Sequence, residues 1–327
     1  MRTRLFKSSG DPVGTSHRSV LLQEAVELLE VKPTDTVVDG TLGGAGHSKE
    51  ILKRLSTNGV LIGFDADKEA IERSQRAIGK SDATVHFIHS NFRHLEAQLR
   101  DRGITHIDRA LFDLGWSGYQ LSGGRGFSFL KDEPLSMAYD DSQSLTAAIV
   151  VNEWEEGSLA DVIYGWGEER YARRIAKAIV EARARSRIET SGQLAEIISG
   201  AVPAIYRGGR IHPATKTFQA LRIAVNDELG ALEEGVRAAW KLLSEGGRIS
   251  VISFHSIEDR VVKRLFADWE KEGIGTRITK KPLTATEEEL SENPRARSAK
   301  LRVIEKNHEK QTSKNKQIPP VRPPRTT

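Results

Sequence analysis

The chemistry-bearing residues of this chain gather where apolar runs end in acids. HIDRALFDLGWSGYQLSGGRGFSF, residues 106–129, opens as a buried strand around a single Arg109. It then sets Asp113 at the strand's end, followed by a glycine turn and Trp116. VVDGTLGGAGH, residues 37–47, has the form of a strand, a glycine loop and a helix start. Glycines let the backbone approach a ligand, and the first amides of a helix can hold an anion. A plain tight turn explains the same letters. The spacing is not GxGxxG and no Walker lysine follows, which argues against a phosphate-cradling NTPase. VLIGFDAD, residues 60–67, supplies Asp65 and Asp67 about two dozen residues beyond the loop, where a carboxylate suits ribose hydroxyls. Asp67 fits a helix N-cap, so Asp65 is the better ligand candidate. Phe92, after a third apolar run, could flank an adenine, although a lone Phe is more often core. Together these strand ends converge on a nucleoside-like ligand, either NAD or S-adenosylmethionine.

Under the second reading Asp113 stands where an acceptor meets a target amine. An exocyclic amine is a weak nucleophile because its lone pair is delocalised into the ring. A carboxylate and backbone carbonyls that accept its hydrogens orient it and raise its electron density. Trp116 could stack on a flipped base, or equally plug the gap between sheet and insertion. SFHSIEDR, residues 253–260, puts His255 and Ser256 beyond another strand end, as a base or, more commonly, a helix-start cap. Arg125, His212, Lys216, Arg295 and Arg297 sit beside loop elements and suit phosphates, with solvated charge as the alternative for each.

These residues need a scaffold, and the periodicity provides one. TVVD (36–39), VLIGFD (60–65), TVHFIH (84–89) and the run from Ile107 to Phe112 read as strands. Helical patterns at Ile51–Leu55, Lys68–Ile78 and His94–Arg100 separate them, which indicates a parallel sheet wound by right-handed crossovers. A further helix covers Ser19–Glu30. After Asp113 the alternation stops: Ser144–Val151, Leu159–Tyr164, Glu168–Ala184 and Gln193–Val202 all read helical. A helical region from Thr215 to Leu243, broken near Gly230, leads to the strand RISVISF (248–254), helix Ile257–Glu272 and a last strand, KLRVIEK (300–306). The expected architecture is α/β, with residues 1–120 and 212–305 forming one discontinuous domain and 121–211 an all-helical insertion. Residues 306–327, basic and with four prolines, have too few apolar residues to bury and are expected to be a disordered tail.

The 327 residues are 38% hydrophobic, ample for a core, and carry a formal charge of +4. So mild an excess points to a polyanionic partner only where cations cluster, as they do between Tyr171 and Arg187. The chain has no cysteine, which excludes disulfides and cysteine-ligated zinc and suits a reducing cytoplasm. MRTRLFKSSGDPVG lacks a signal-peptide core, and no run approaches the ~20 apolar residues of a membrane span. A cytoplasmic location without membrane contact is expected.

Taken together and in order, VDGTLGGAGHS, FDADKEAI, DLGWSGYQL, RGFSF, GEERYARRIAKAIV, HPATKTFQALRIAVNDEL and SFHSIEDRVVK resemble the bacterial ribosomal small-subunit methyltransferase H (MraW) family. The resemblance runs from HRSVLLQEAV (17–26) to NPRARSAKLRV (293–303). It implies a Rossmann-like S-adenosylmethionine-dependent methyltransferase sheet with an inserted helical subdomain that recognises RNA. The implied reaction is methylation of the exocyclic N4 amine of a cytidine in 16S rRNA near the decoding centre, on the small ribosomal subunit, with no metal. Carried across by motif, the cofactor contacts fall on Ala45, Gly46, His47, Asp65, Phe92, Asp113 and Gln120. The reading of the residues themselves makes Asp113 and Trp116 the catalytic pair. Monomer and homodimer both remain open.

This chain departs from the family's usual letters in three places. Ala45 stands where Gly is usual, DLGWSGYQLS replaces DLGVSSPQLD, and PLSMAYD replaces PLDMRMD, so that Ser136 and Ala138 take the places of an Asp and an Arg. The last change motivates an alternative, a catalytically weak RNA-binding assembly factor that keeps the fold. An NAD-linked oxidoreductase is disfavoured by the missing GxGxxG.

Overall fold

The computed structural model describes residues 18–115, 124–140 and 143–308. Its centre is built by short runs of β-branched and aliphatic residues that have no polar face: β1 (Thr36–Asp39), β2 (Val60–Asp65), β3 (Thr84–His89) and β4 (Ile107–Asp113). Runs of this kind suit strands covered on both faces, as in a parallel sheet between helices. β5 (Leu243–Ser253), β6 (Gly275–Arg277) and β7 (Lys300–Lys306) complete a seven-stranded sheet in the order β3-β2-β1-β4-β5-β7-β6. The first five strands pair in parallel, and β7 runs antiparallel to both β5 and β6. The winding direction reverses between β1 and β4, the place where open α/β sheets leave a crevice for ligands beyond the strands' carboxyl ends.

Helices α1 (Leu22–Leu29), α2 (Gly46–Leu52), α3 (Lys68–Ile78) and α4 (Leu95–Arg100) cover this sheet. α3 has the bounds expected from sequence because Asp67 caps it, its carboxylate accepting from Glu69 N at 2.9 Å. α2 begins five residues earlier than its apolar pattern, directly off the glycine loop. Between β4 and β5 come α5 (Ala147–Glu153), α6 (Glu156–Gly165), α7 (Ala172–Arg183), α8 (Ser191–Ala201), the short α9 (Ala204–Arg207), α10 (Ala214–Asn226) and α11 (Glu228–Leu242). α12 (Ser256–Lys271) and α13 (Glu287–Glu292) follow β5.

The long helical region breaks at Asp227 rather than near Gly230. Asp227 adopts φ 45 and ψ 48 and ends α10 as it starts α11. That one left-handed residue separates two cores. α10 gives Ala214, Phe218, Leu221 and Val225 to a helical cluster with α5 to α8, whereas α11 gives Leu232, Val236, Ala239 and Trp240 to the sheet. The expected dividing line at 211 thus falls before a helix whose buried face lies in the helical cluster. β6 escapes sequence reading because three residues carry no periodicity, and β5 begins five residues before the run that announced it, with Gly246 in the left-handed region (φ 70).

Arg109 is the one cation inside β4. Its guanidinium donates to the carbonyls of Glu30 and Asp108 and lies 3.3 Å from the Asp35 carboxylate, with 4% of its surface exposed. Removing it leaves a buried carboxylate and carbonyls without a donor. Arg109→Ala is expected to cost about 3 kcal/mol in urea denaturation.

Candidate active site

Three strands end in an acid: β1 in Asp39, β2 in Asp65 and β4 in Asp113. Two cavities lie beyond them. The smaller, about 110 Å³, is lined by the glycine loop, Asp65, Phe92, Tyr139 and Glu228. The larger, about 460 Å³, is lined by His47, Phe127, Phe129, Phe218, His255 and Arg295, among others. Among the described residues, Asp113 and Glu258 are the only acids that line both. Asp113 therefore stands on the boundary between a small slot and a roomier, mostly apolar chamber.

The backbone builds the slot. Gly43 has φ 51, and its N–H donates to Asp65 Oδ2 at 2.9 Å, so loop and acid fix each other. Asp67 N donates to Asp65 Oδ1 at 2.9 Å, which leaves both oxygens further lone pairs toward the cavity. Asp67 itself is spent on capping α3, with Arg73 and Arg125 each 3.5 Å away. Phe92 opens a 3-10 turn capped by Asn91 and meets Phe112 edge to face at 5.4 Å. Ala45 holds φ 61 and ψ 21, where the missing freedom of glycine costs roughly 1 kcal/mol. The backbone conformation that the family usually gives to Gly is thus kept by an alanine. Gly46 begins α2 against Ser19, whose Oγ a Cβ would approach to 1.9 Å.

Asp113 is anchored by its own N–H, which donates to Thr41 Oγ1 at 2.7 Å, and its Oδ1 receives Gly115 N at 3.4 Å. Its side chain is 17% exposed and lies 3.6 Å from His47 Nδ1. His47 Nε2 faces the carbonyl of Val20 at 3.1 Å, and since a carbonyl only accepts, Nε2 carries the hydrogen. Burial pushes the Asp113 carboxyl up to about 7. The Gly115 bond opposes that rise, and the negative charges of Asp39 and Glu258 add to it. Burial likewise raises Asp39 and Asp65 to about 6, against the hydrogen bonds each receives.

A polar cluster closes the far wall. The Arg222 guanidinium forks onto Glu228 at 2.8 and 3.0 Å, and Tyr139 Oη donates to Glu228 Oε1 at 2.7 Å. Asn226 ties Met137 O and Tyr139 N, so the PLSMAYD stretch forms this wall through its backbone and Tyr139. Met137 sits in the left-handed region (φ 57), and Ala138 is buried in the helical core. Glu258 Oε2 accepts Phe254 N at 2.9 Å and His255 N at 3.3 Å, while Glu258 N donates to His255 Nδ1, a reciprocal cap on α12. His255 is therefore a helix cap that also lines the larger cavity. Glu228, His255 and Glu258 bring donor atoms within 4.8 Å of one another, the types a metal would take. Arg222 and Tyr139 already hold the first; backbone amides take only Glu258 Oε2 and His255 Nδ1, while the buried His255 Nε2 has no hydrogen-bond partner and faces Glu258 Oε1 at 3.1 Å.

Of the expected cofactor contacts, Gly46, His47, Asp65, Phe92 and Asp113 line one or both cavities, with Ala45 packed beneath at 0% exposure. Trp116 and Gln120 lie outside the described residues. Arg125 turns inward, donating to Tyr139 O at 3.0 Å and lying over the Phe127 ring. Lys216 donates to Glu168 O at 2.8 Å, and His212 stacks on Phe129 with its Nδ1 accepting from Ala214 N. Arg295 and Arg297 stand exposed on the 3-10 turn Pro294–Ser298, the first at the larger cavity's edge. Sequence reading passed over Thr41, Tyr139, Arg222, Glu228 and Glu258. Only Glu258 carried a signal, as the acid three residues past the cap in HSIE.

The reversal of winding at β1 and β4, the glycine loop and the acids at the strand ends define a Rossmann-like fold with a ligand crevice, and the family match makes the protein an S-adenosylmethionine-dependent methyltransferase. The chain belongs to the MraW methylase family, whose model matches residues 14–307. It is 47% identical over 307 residues to a ribosomal RNA small subunit methyltransferase H of Symbiobacterium thermophilum, covering 89% of this chain and 96% of that one. The protein of the same name from Clostridioides difficile is 45% identical over 306 residues, covering 89% and 98%.

Two measurements test the site's physics. Folding raises Asp113 from its ordinary 3.8 to about 7, so the folded state binds that proton more tightly and loses stability as pH rises through this window. Relative to wild type, Asp113→Asn is expected to gain about 2 kcal/mol more at about pH 8 than at about pH 5 in urea denaturation. Ala45→Gly relieves the left-handed strain, and an increase of up to about 1 kcal/mol by the same method is expected.

Proposed function

We propose that this chain methylates the exocyclic N4 amine of a cytidine in 16S rRNA near the decoding centre, with the small ribosomal subunit as its partner. The observation that carries this reading is Asp113, which lines both the slot beside Asp65 and Phe92 and the apolar chamber. Family membership and the names of the relatives supply the reaction class and the rRNA substrate.

The residues fit S-adenosylmethionine. Asp65 stands ready for the ribose hydroxyls, Phe92 for the adenine face, the Gly43–Gly46 loop and His47 for the remainder, and the surrounding acids suit a cation. When bound, the cofactor supplies an electrophilic methyl group. Asp113 accepts a hydrogen of the target amine, orients its lone pair, and takes the proton that methylation releases. Phe127, Phe129 and Phe218 offer the acceptor base an apolar chamber that excludes water. Trp116 keeps its proposed role as a stacking platform and Gln120 as a cofactor contact. The helical unit between the two halves of the sheet domain serves as the RNA-recognition part, with Arg295, Arg297, His212 and Lys216 near the phosphate path. Arg125, tied inward, is given a structural role instead. Thr41 and Glu228 join the site as positioning residues.

Labelled-cofactor assays on small subunits, with mapping of the modified nucleotide in cells with and without this protein, test the reading. A protein that binds subunits without labelling them would favour the assembly-factor alternative. Asp113→Ala is expected to abolish labelling, and near-normal turnover would remove the role given to Asp113. Asp65→Ala is expected to weaken S-adenosylmethionine binding at least about tenfold in calorimetry, the loss of hydrogen bonds to a charged acceptor.

A further inference from the structure

An aromatic ladder runs from the larger cavity to the surface. Phe218 and Phe129 both line that cavity and meet edge to face at 5.4 Å. Phe129 then stacks on His212 at 4.5 Å, with the two rings 15° from parallel. Phe218 is buried, Phe129 half-buried and His212 exposed, so the ladder ends in a ring at the surface. Its Nδ1 accepts from Ala214 N at 3.2 Å, which fixes the ring and leaves its hydrogen on Nε2. Partial burial lowers its pKa below the ordinary 6.5, so this ring is neutral near pH 7. It offers a flat face and not a charge.

The surroundings of this ring suit a nucleotide. Leu130 and Ile211, the chain neighbours of the two stacked rings, are 84% and 50% exposed, and Leu130 lines the cavity as well. Arg295 stands exposed at the cavity's edge, and Arg210, also exposed, lies two residues before His212. Rings flanked by cations hold single-stranded RNA, the bases on the rings and the phosphates on the cations. Resting on the function proposed above, we propose that the face of His212 turned away from Phe129 is the stacking platform for an unpaired RNA base next to the target nucleotide. The target base enters the chamber with its amine toward Asp113, and its neighbour continues the Phe129–His212 stack outside. A neighbour held there cannot restack on the target, so the strand stays open while the methyl group is transferred. Every base has a flat face, so this platform accepts any neighbour and leaves the choice of target to the chamber.

The test is the binding of a short single-stranded RNA with one cytidine, read by fluorescence anisotropy over a series of salt concentrations. His212→Ala is expected to weaken binding about tenfold, the loss of one stacked base, without changing the slope of log K against log salt. His212→Phe, which keeps a ring, is expected to bind within about twofold of wild type, and His212→Lys, a cation without a ring, more weakly than His212→Phe. An abasic residue on one side of the cytidine is expected to cost wild type the same factor and to cost His212→Ala nothing further. His212→Phe binding as weakly as His212→Ala overturns the proposal, as does an abasic loss that simply adds to that of His212→Ala on both sides. A salt slope reduced by about one in His212→Ala, the mark of a phosphate contact, overturns it as well. Wild type that methylates without needing this ring ends the present proposal alone. Wild type that binds the RNA but methylates neither it nor small subunits ends the functional reading, and the ring comparison still stands. Wild type that binds no RNA ends both.

Discussion

Everything at the site depends on β4 being clamped between β1 and β5. Leu111 pairs with Asp39 on one side, and Asp113 pairs with Ile252 on the other. The ladder continues past the strand's end, where Gly40 N donates to Leu111 O at 2.8 Å and Leu114 N to Ile252 O at 2.9 Å. At the opposite end Arg109 binds Asp35 and two carbonyls, which fixes the strand along its axis. A carboxylate on such a strand has almost no freedom of backbone movement. The acceptor geometry at Asp113 is therefore a property of the sheet and not of a loop.

The same constraint creates an electrostatic imbalance. Asp39, Asp65 and Asp113 crowd the carboxyl edge of one sheet, and Glu258 joins them from a helix start. Arg222, which lines the larger cavity, is engaged with Glu228, and Arg73 and Arg125 lie against Asp67. Burial of like charges raises the carboxyls and favours any ligand that brings a positive charge among them. A sulfonium ion would meet that need where a neutral thioether would not.

Much of this was legible in the letters. The three strands that deliver the acids stand out as short apolar runs, and α3 is bounded by Asp67, which fits an N-cap. The glycine loop, Asp65 and Phe92 were readable as strand-end positions because each ends or directly follows an apolar run. What escaped depends on tertiary placement. Nothing in a sequence announces that Asp227 rather than Gly230 takes the left-handed turn, since the break is imposed by two helices belonging to different cores. Arg125 looks like a phosphate ligand until the fold turns it toward Asp67 and Tyr139. Glu258 reads as half of a cap, and only the fold brings that cap to the cavities that Asp113 lines.

The two cores joined at Asp227 also bear on how such a protein can change over time. The larger cavity takes Phe127, Phe129, Met137 and Phe218 from the helical core or against it, whereas Asp65 and Phe92 stand on the sheet. Substitutions in one core are absorbed by repacking that need not cross a single backbone joint. Ser136 and Ala138, unusual letters in the PLSMAYD stretch, lie in or beside the helical core rather than on the sheet. The two-core architecture lets the helical side take up such changes while the packing of the sheet side stays as it is.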